Sequence, residues 1–189
     1  MSPVRSIELN KNKMLQYLDE ILLIEKDTSE KLGEDVYGSP WTAKEFLYEV
    51  PGKWRYSSLA LIQDMPVGFL IMSTWGNNLH GHRMGIDIHR TGRIKVRIAQ
   101  ALYCRTAKRG REDEIDYFSA IVPKANVSTQ RWYKHEGFEQ LNQKNLKWFI
   151  EGRNFPGFIS GDCVVDKEKI PGEPDTSYVF KGEIKKLFL

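Results

Sequence analysis

Apolar and polar positions follow two periods along this chain. Val4 to Leu9 reads as a short strand. From Asn12 to about Asp27, Leu15, Leu18, Ile21 and Leu22 recur at helical spacing and predict an amphipathic helix. Thr28 to Ser39 is polar, carries Gly33 and Gly38, and reads as a loop. Thr42 and Glu45 have capping-box spacing, so a short helix starts there, with Phe46 and Val50 inward and Pro51-Gly52 as the stop. Trp54 to Ile62 alternates as a strand, Gln63 to Pro66 turns, and Val67 to Thr74 is apolar enough for a central strand of an antiparallel hairpin. A second turn, Gly76 to Asn78, leads on.

The stretch Leu79 to Gly110 organises the rest. Its first part carries Met84, Ile86 and Ile88 in strand alternation. The turn His89 to Arg93 holds one glycine, Gly92. Ile94, Ile98, Ala101 and Leu102 then repeat at helical spacing, and Lys108, Arg109 and Gly110 read as the basic last turn and terminal glycine. Arg111 to Glu114 is a charged connection, Tyr117 to Val122 an uncharged buried strand, and Val127 to Glu136 a helix ended by Gly137-Phe138. Asn142 to Ile150 reads as a strand, residues 151–175 as an irregular extension, Tyr178 to Phe180 as a last strand, and the tail from Gly182 as a final edge or short helix. The economical packing is a mixed sheet with helices on its faces, in which Leu79–Val122 forms a strand–helix–strand crossover. Residues 1–150 make the domain and 151–189 an appendage.

Size and charge narrow the function. The 189 residues suit one domain, and five Trp, eight Tyr and nine Phe supply a core. A net charge of +3 is too small for generic nucleic-acid binding. Cys104 and Cys163 lack metal-ligand spacing and read as free thiols in a reducing, cytoplasmic setting. The first residues show no signal-peptide pattern, and no run is apolar enough to span a bilayer.

A strand that enters a helix through a tight turn aims free N–H groups and the positive end of the helix dipole at one spot, which suits phosphate. Arg90, Arg93, Lys95 and Arg97 add charge there. A basic, solvated corner gives the same pattern. Asn126 to Phe138, read as NVSTQRWYKHEGF, together with this strand–turn–helix block, resembles the GCN5-related N-acetyltransferase (GNAT) superfamily. Ile24 to Val50, with its SPWTAKEF segment, is similar to ribosomal-protein alanine N-acetyltransferases. The resemblance spans residues 12–150.

The resemblance implies an α/β fold with a mixed, mostly antiparallel sheet flanked by helices. It also implies acetyl-CoA as co-substrate and a primary amine of a small molecule or peptide as acceptor. By it, Ile86, Ile88, Arg90, Thr91, Gly92, Arg93, Ile94 and Lys95 line the pyrophosphate seat, Asn126 lies by the pantetheine arm, and Tyr133 protonates the departing thiolate. Asn126 also suits a helix N-cap, and Tyr133 a packed helix tyrosine with a wet hydroxyl. His80 and His82 share one face of an extended strand and resemble the paired histidines of aralkylamine N-acetyltransferases, which makes them the candidate base. They also fit a plain polar turn, and no third ligand has metal spacing.

Two departures stand out. The turn carries Arg93, Ile94 and Lys95 where the superfamily's pattern has small residues, and Ala120, Ile121 and Val122 lack the acid of the alanine N-acetyltransferases. Glu25 and Asp87 are reserve carboxylates. The departures leave open a catalytically silent GNAT-fold subunit, with Phe155, Phe158 and Phe188 of the appendage as anchors for a protein partner, and transfer of a longer acyl group or acylation of a sugar amine.

Overall fold

A computed structural model describes residues 3–90, 93–141 and 177–187. The elements in chain order are β1 (Arg5–Glu8), α1 (Lys11–Gln16), α2 (Leu18–Leu32), α3 (Glu34–Tyr37), α4 (Ala43–Leu47), α5 (Lys53–Tyr56), β2 (Ser58–Ile62), β3 (Met65–Trp75), β4 (Asn78–Ile86), α6 (Arg93–Glu112), β5 (Tyr117–Pro123), α7 (Val127–His135), β6 (Glu139–Gln140) and β7 (Ser177–Glu183). Seven strands form one sheet in the order β1-β2-β3-β4-β5-β7-β6. Every pair is antiparallel except β4 and β5, which run parallel on either side of the α6 crossover. The expected mixed, mostly antiparallel α/β architecture is the one observed.

Each face of the sheet carries its own core. On one side, Leu70, Met72, Leu79, Phe118, Ala120, Val122 and Phe180 meet Ile98, Leu102 and Tyr103 of α6 and Tyr133 of α7. On the other, Leu59, Leu61, Phe69 and Ile71 meet Met14, Ile21 and Ile24 of the first helices and Trp41 and Phe46 around α4. Alternation along β3 sends successive residues to opposite cores, as a strand buried on both faces requires.

The capping box at α4 forms as expected, Thr42 and Glu45 bonding each other's backbone N–H groups, and Phe46 and Val50 are buried. Four expectations need correction. The first helix is two: α1 ends at Gln16, and α2 runs into the expected loop as far as Leu32, followed by α3. The core-facing residues that extend α2 past Asp27 are Thr28 and Ser29, buried but polar, so hydrophobic periodicity misses them. Trp54 to Tyr56 is helical, because Gly52 at φ 74° starts a fresh turn and β2 begins only at Ser58. Gly110 does not end its helix. It lies within α6, where an added Cβ would sit 2.9 Å from Ile184 Cδ1 and 3.0 Å from Leu79 Cδ1, so it serves close packing. The last strand is interior, between β5 and β6, and the tail residues Ile184 and Leu187 are fully buried against the α6 core.

Thr91 and Gly92, the 142–150 strand, Cys163, Phe155, Phe158 and Phe188 lie outside the described residues. Among the described residues no helix is long and apolar enough to cross a membrane.

Candidate functional site

The site arises where two parallel strands part. β4 and β5 pair only from Asn78 to Gly81 against Tyr117 to Ala120. Beyond that, β4 continues beside β3 to Ile86, and β5 beside β7 to Pro123. The β3–β4 register slips by one residue, from Met72 opposite Gly81 to Ile71 opposite Arg83, so His82 is the extra residue of a bulge. A bulge bends its strand and strengthens the local twist, which opens the gap. Into it runs a cavity of about 330 Å³, the lower end of ligand-pocket volumes. Its walls come from both faces of the sheet: Tyr103, Val122 and Tyr133 from one core, and His82, Arg83 and Tyr37 from the other side.

The histidines separate in role. His82 lines the cavity, and its Nε2 lies 2.7 Å from Ser73 Oγ. Burial, with a smaller contribution from the Lys53 charge, holds its pKa down at about 3, so the imidazole is neutral at pH 7. His80 lies behind the cavity wall, 1% exposed. Its Nδ1 is 3.0 Å from Ser119 Oγ and its ring is edge-on to His82 at 4.8 Å. Ser119 also accepts from Asn78 Nδ2 at 2.8 Å. The two rings do share a face, and only His82 reaches the open space.

Tyr133 projects from α7, stacks on Phe180 and meets Phe138 edge-on. Its hydroxyl lies 2.5 Å from that of Tyr103, on α6, and both side chains line the cavity. Burial pushes the Tyr133 phenol above its ordinary pKa, partly offset by the Tyr103 hydrogen bond, so it is protonated at neutral pH. Asn126 caps α7: its Oδ1 accepts from Thr129 N and Ser128 Oγ, both at 3.2 Å, and its Nδ2 donates to Val36 O at 3.2 Å. That last bond ties α7 to α3 across the cavity. The N-cap reading of Asn126 holds, and its side chain also borders the open space.

At the other end, Ile86, Ile88 and Lys95 line the cavity. Ile94 is half-buried against the core, and Arg93 is exposed at the start of the 20-residue α6. The Lys95 side chain makes no hydrogen bond or ion pair among the described residues, and the cavity beside it stays open. Arg90 is engaged by Asp87, its Nε 3.1 Å from Oδ2, and Asp87 Oδ1 accepts from His89 N at 2.9 Å. Asp87 therefore organises the turn.

Glu25 is equally committed. It is fully buried, and its Oε1 accepts from Arg83 Nη2 at 2.5 Å, Arg83 Nε at 3.0 Å and Trp41 N at 2.8 Å, while Oε2 accepts from Tyr37 O–H at 2.7 Å. Arg83 also donates to the carbonyls of Tyr37 and Ser39 and lies 3.8 Å over the Tyr37 ring. This hub fixes the α2–α3 roof on β4. Among the described residues no group of three His, Cys, Asp or Glu side chains is placed to hold a metal ion.

Sequence reading missed Tyr103, Ser73, and the roof residues Thr28, Lys31 and Tyr37. Only Tyr103 carried a signal: a tyrosine on the buried stripe of a helix needs a partner for its hydroxyl.

No family model and no curated protein matches this chain in sequence. Its architecture is similar to several solved structures. An acetyltransferase of the GNAT family from Staphylococcus aureus superposes with a TM-score of 0.66 at 15% identity, covering 96% of this chain and 99% of that one. The ribosomal-protein-S18-alanine N-acetyltransferase of Escherichia coli gives 0.60 at 12%, covering 96% and 94%. The PaiA N-acetyltransferase of Thermoplasma acidophilum, in complex with coenzyme A, gives 0.57 at 12%, covering 96% and 99%. Sheet order, the parted parallel strands and these superpositions agree: the chain has the fold of the GNAT acetyltransferases.

Proposed function

We propose that this protein is an acetyl-CoA-dependent N-acetyltransferase that acts on a primary amine of a small molecule or peptide. The observation that carries the reading is the cavity through the parted strands, with the α6 N-terminus and Lys95 at one end and Tyr133 and His82 within. Acetyl-CoA supplies an activated acetyl thioester.

The start of α6 directs its dipole at the diphosphate, and Lys95, with Arg93 and Arg90 at the rim, contributes charge. Thr91 and Gly92 complete the turn in sequence. Basic side chains at this turn replace part of the backbone cradle that small residues give elsewhere. Ile86, Ile88 and Asn126 border the pantetheine path. Tyr133, protonated at neutral pH, gives its proton to the departing sulfur. His82 accepts a hydrogen bond from the attacking amine. Its low basicity suits orientation of an amine already neutral, with the excess proton lost to water. His80 and Ser73 hold His82 in place. The α2–α3 roof, Tyr37 above all, faces the acceptor.

The test is a thermal melt with acetyl-CoA. At a hundredfold excess over the dissociation constant, linkage stabilises the fold by about 2.7 kcal/mol. An unchanged midpoint overturns the proposal.

A further inference from the structure

Tyr133 does not stand alone. Tyr103 approaches it from a different helix, the two hydroxyl oxygens are 2.5 Å apart, and both rings border the cavity. Each is nearly fully buried, at 1% and 4% exposure. Around them Phe118, Trp132, Phe138 and Phe180 pack against the two rings and leave the hydroxyls bordering the cavity. A phenolate formed on Tyr133 is surrounded by these rings and meets the Tyr103 hydroxyl directly. We infer that Tyr103 is a positioning residue for the leaving-group step: its O–H donates to Tyr133, turns the Tyr133 O–H toward the sulfur, and holds the phenolate that forms. The inference rests on the acetyl-transfer reading above.

The step balances without another reagent. The amine nitrogen bonds the acetyl carbon, and the carbon–sulfur bond breaks with its electron pair on sulfur. Sulfur takes the Tyr133 proton. The nitrogen loses one proton to water, and water returns one to the Tyr133 phenolate. The net change is amine plus thioester to amide plus thiol. Throughout, Tyr103 keeps its own proton and acts only through Tyr133. With Tyr103 as donor, the hydroxyl pair is polarised in the direction the step needs, and hydrogen bonds in series strengthen one another in a site of low polarity. The raised pKa values of both phenols, chiefly from burial, keep both protons in place at neutral pH.

The experiment needs no knowledge of the acceptor. Coenzyme A itself is the probe, and the thiolate absorbance of its bound sulfhydryl is titrated against pH in the wild type, Tyr103→Phe, Tyr133→Phe and the double variant. The wild type is expected to bind the thiol with its pKa lowered relative to free coenzyme A. Tyr103→Phe should move that pKa back by about one unit, a tenfold change in the thiolate fraction, with affinity for coenzyme A within about twofold. In the Tyr133→Phe background, Tyr103→Phe should then have no further effect, because it acts through the missing hydroxyl. A melting midpoint for each variant separates this from loss of fold. If coenzyme A does not bind the wild type, the acetyl-transfer reading falls and takes this inference with it. If it binds and Tyr103→Phe leaves the thiol pKa unchanged, or its effect persists undiminished without the Tyr133 hydroxyl, only the Tyr103 inference falls.

Discussion

Single side chains in this cavity are tuned by what they are buried with. His82 and Lys95 illustrate the two extremes. His82 is held neutral with a pKa near 3, so its ring resonances are expected to stay constant in an NMR titration from pH 5 to 8. A titration midpoint inside that range would remove the neutral imidazole from the account. It follows that an acid limb between pH 5 and 8 in the rate profile belongs to another group and should survive in His82→Asn. Lys95 is the reverse case, a half-buried cation beside an open cavity with no ion pair among the described residues. Lys95→Ala should weaken acetyl-CoA binding by about tenfold or more, the effect of one charge-assisted phosphate contact. The loss should be read by calorimetry at two salt concentrations, since a partly exposed contact is screened by salt. Equal affinity in the variant would place the diphosphate elsewhere. Tyr133, Lys95 and the histidine pair could be singled out in the sequence because each lies in or beside a local motif. Tyr103 and Ser73 meet Tyr133 and His82 from 30 and 9 residues away, and no local pattern encodes that.

Elements here are joined by buried polar groups as much as by apolar faces. The Glu25–Arg83 pair joins α2 to β4, with Tyr37 and Trp41 drawn in from the segment between. Removing one partner leaves a buried charge alone, and Arg83→Met should cost about 3–5 kcal/mol in denaturant unfolding. The double replacement Glu25→Leu, Arg83→Met should recover much of that stability while the α3 roof loses its anchor. The end of α4 offers a second case. Lys53 is fully buried, and its Nζ donates to the carbonyls of Tyr48 at 2.6 Å and Glu45 at 3.2 Å, the latter also accepting from Tyr48 N, so the lysine closes the C-terminal end of the helix. Burial lowers its pKa from 10.5 to about 8. Between those values the unfolded chain holds more protons than the folded one, so this group's contribution to stability rises with pH across that window. The stability of the wild type relative to Lys53→Met should accordingly increase from pH 8 to 10.5, and a flat difference would exclude the shift. These same polar groups explain what the hydrophobic pattern hid. Thr28 and Ser29 on the inner face of α2 read as loop, and Lys53 at the start of α5 falls in no expected helix, because their burial depends on distant partners. The helices with an apolar inner stripe, α6 and α7, and the strands β1, β3 and β5 were legible to within a few residues.

At the scale of the molecule, the site depends on how closely α6 sits on the sheet. Gly68 on β3 sets that distance, while Gly85 on β4 does the same for α2 on the opposite face, and both lie toward the end where β4 leaves β5. A Cβ on Gly68 would come 2.8 Å from Ile98 Cγ2 on α6 and 3.0 Å from the Gly85 carbonyl oxygen. A Cβ on Gly85 would come 2.5 Å from Phe69 Cε1 and 3.2 Å from Ile24 Cγ2 of α2. The sheet is therefore thin where its strands part, pressed by one helix on each face. The sequence does not show which helix faces each glycine, since Ile24 and Ile98 come from helices before and after the hairpin. Gly68→Ala must push α6 outward, because the backbone oxygen of Gly85 cannot yield as a side chain can. The expected cost is about 1–3 kcal/mol of stability, the usual range for overpacking. The functional consequence should be larger than that figure suggests. Ile98 lies one turn from Lys95, so lifting α6 there turns its N-terminus away from the cavity mouth. Gly85→Ala strains Phe69 and the α2 face instead and leaves the seat of α6 intact. Variants matched in melting midpoint should thus differ in acetyl-CoA affinity, weakened in Gly68→Ala and retained in Gly85→Ala. Equal retention in both would show that the aim of α6 does not set binding.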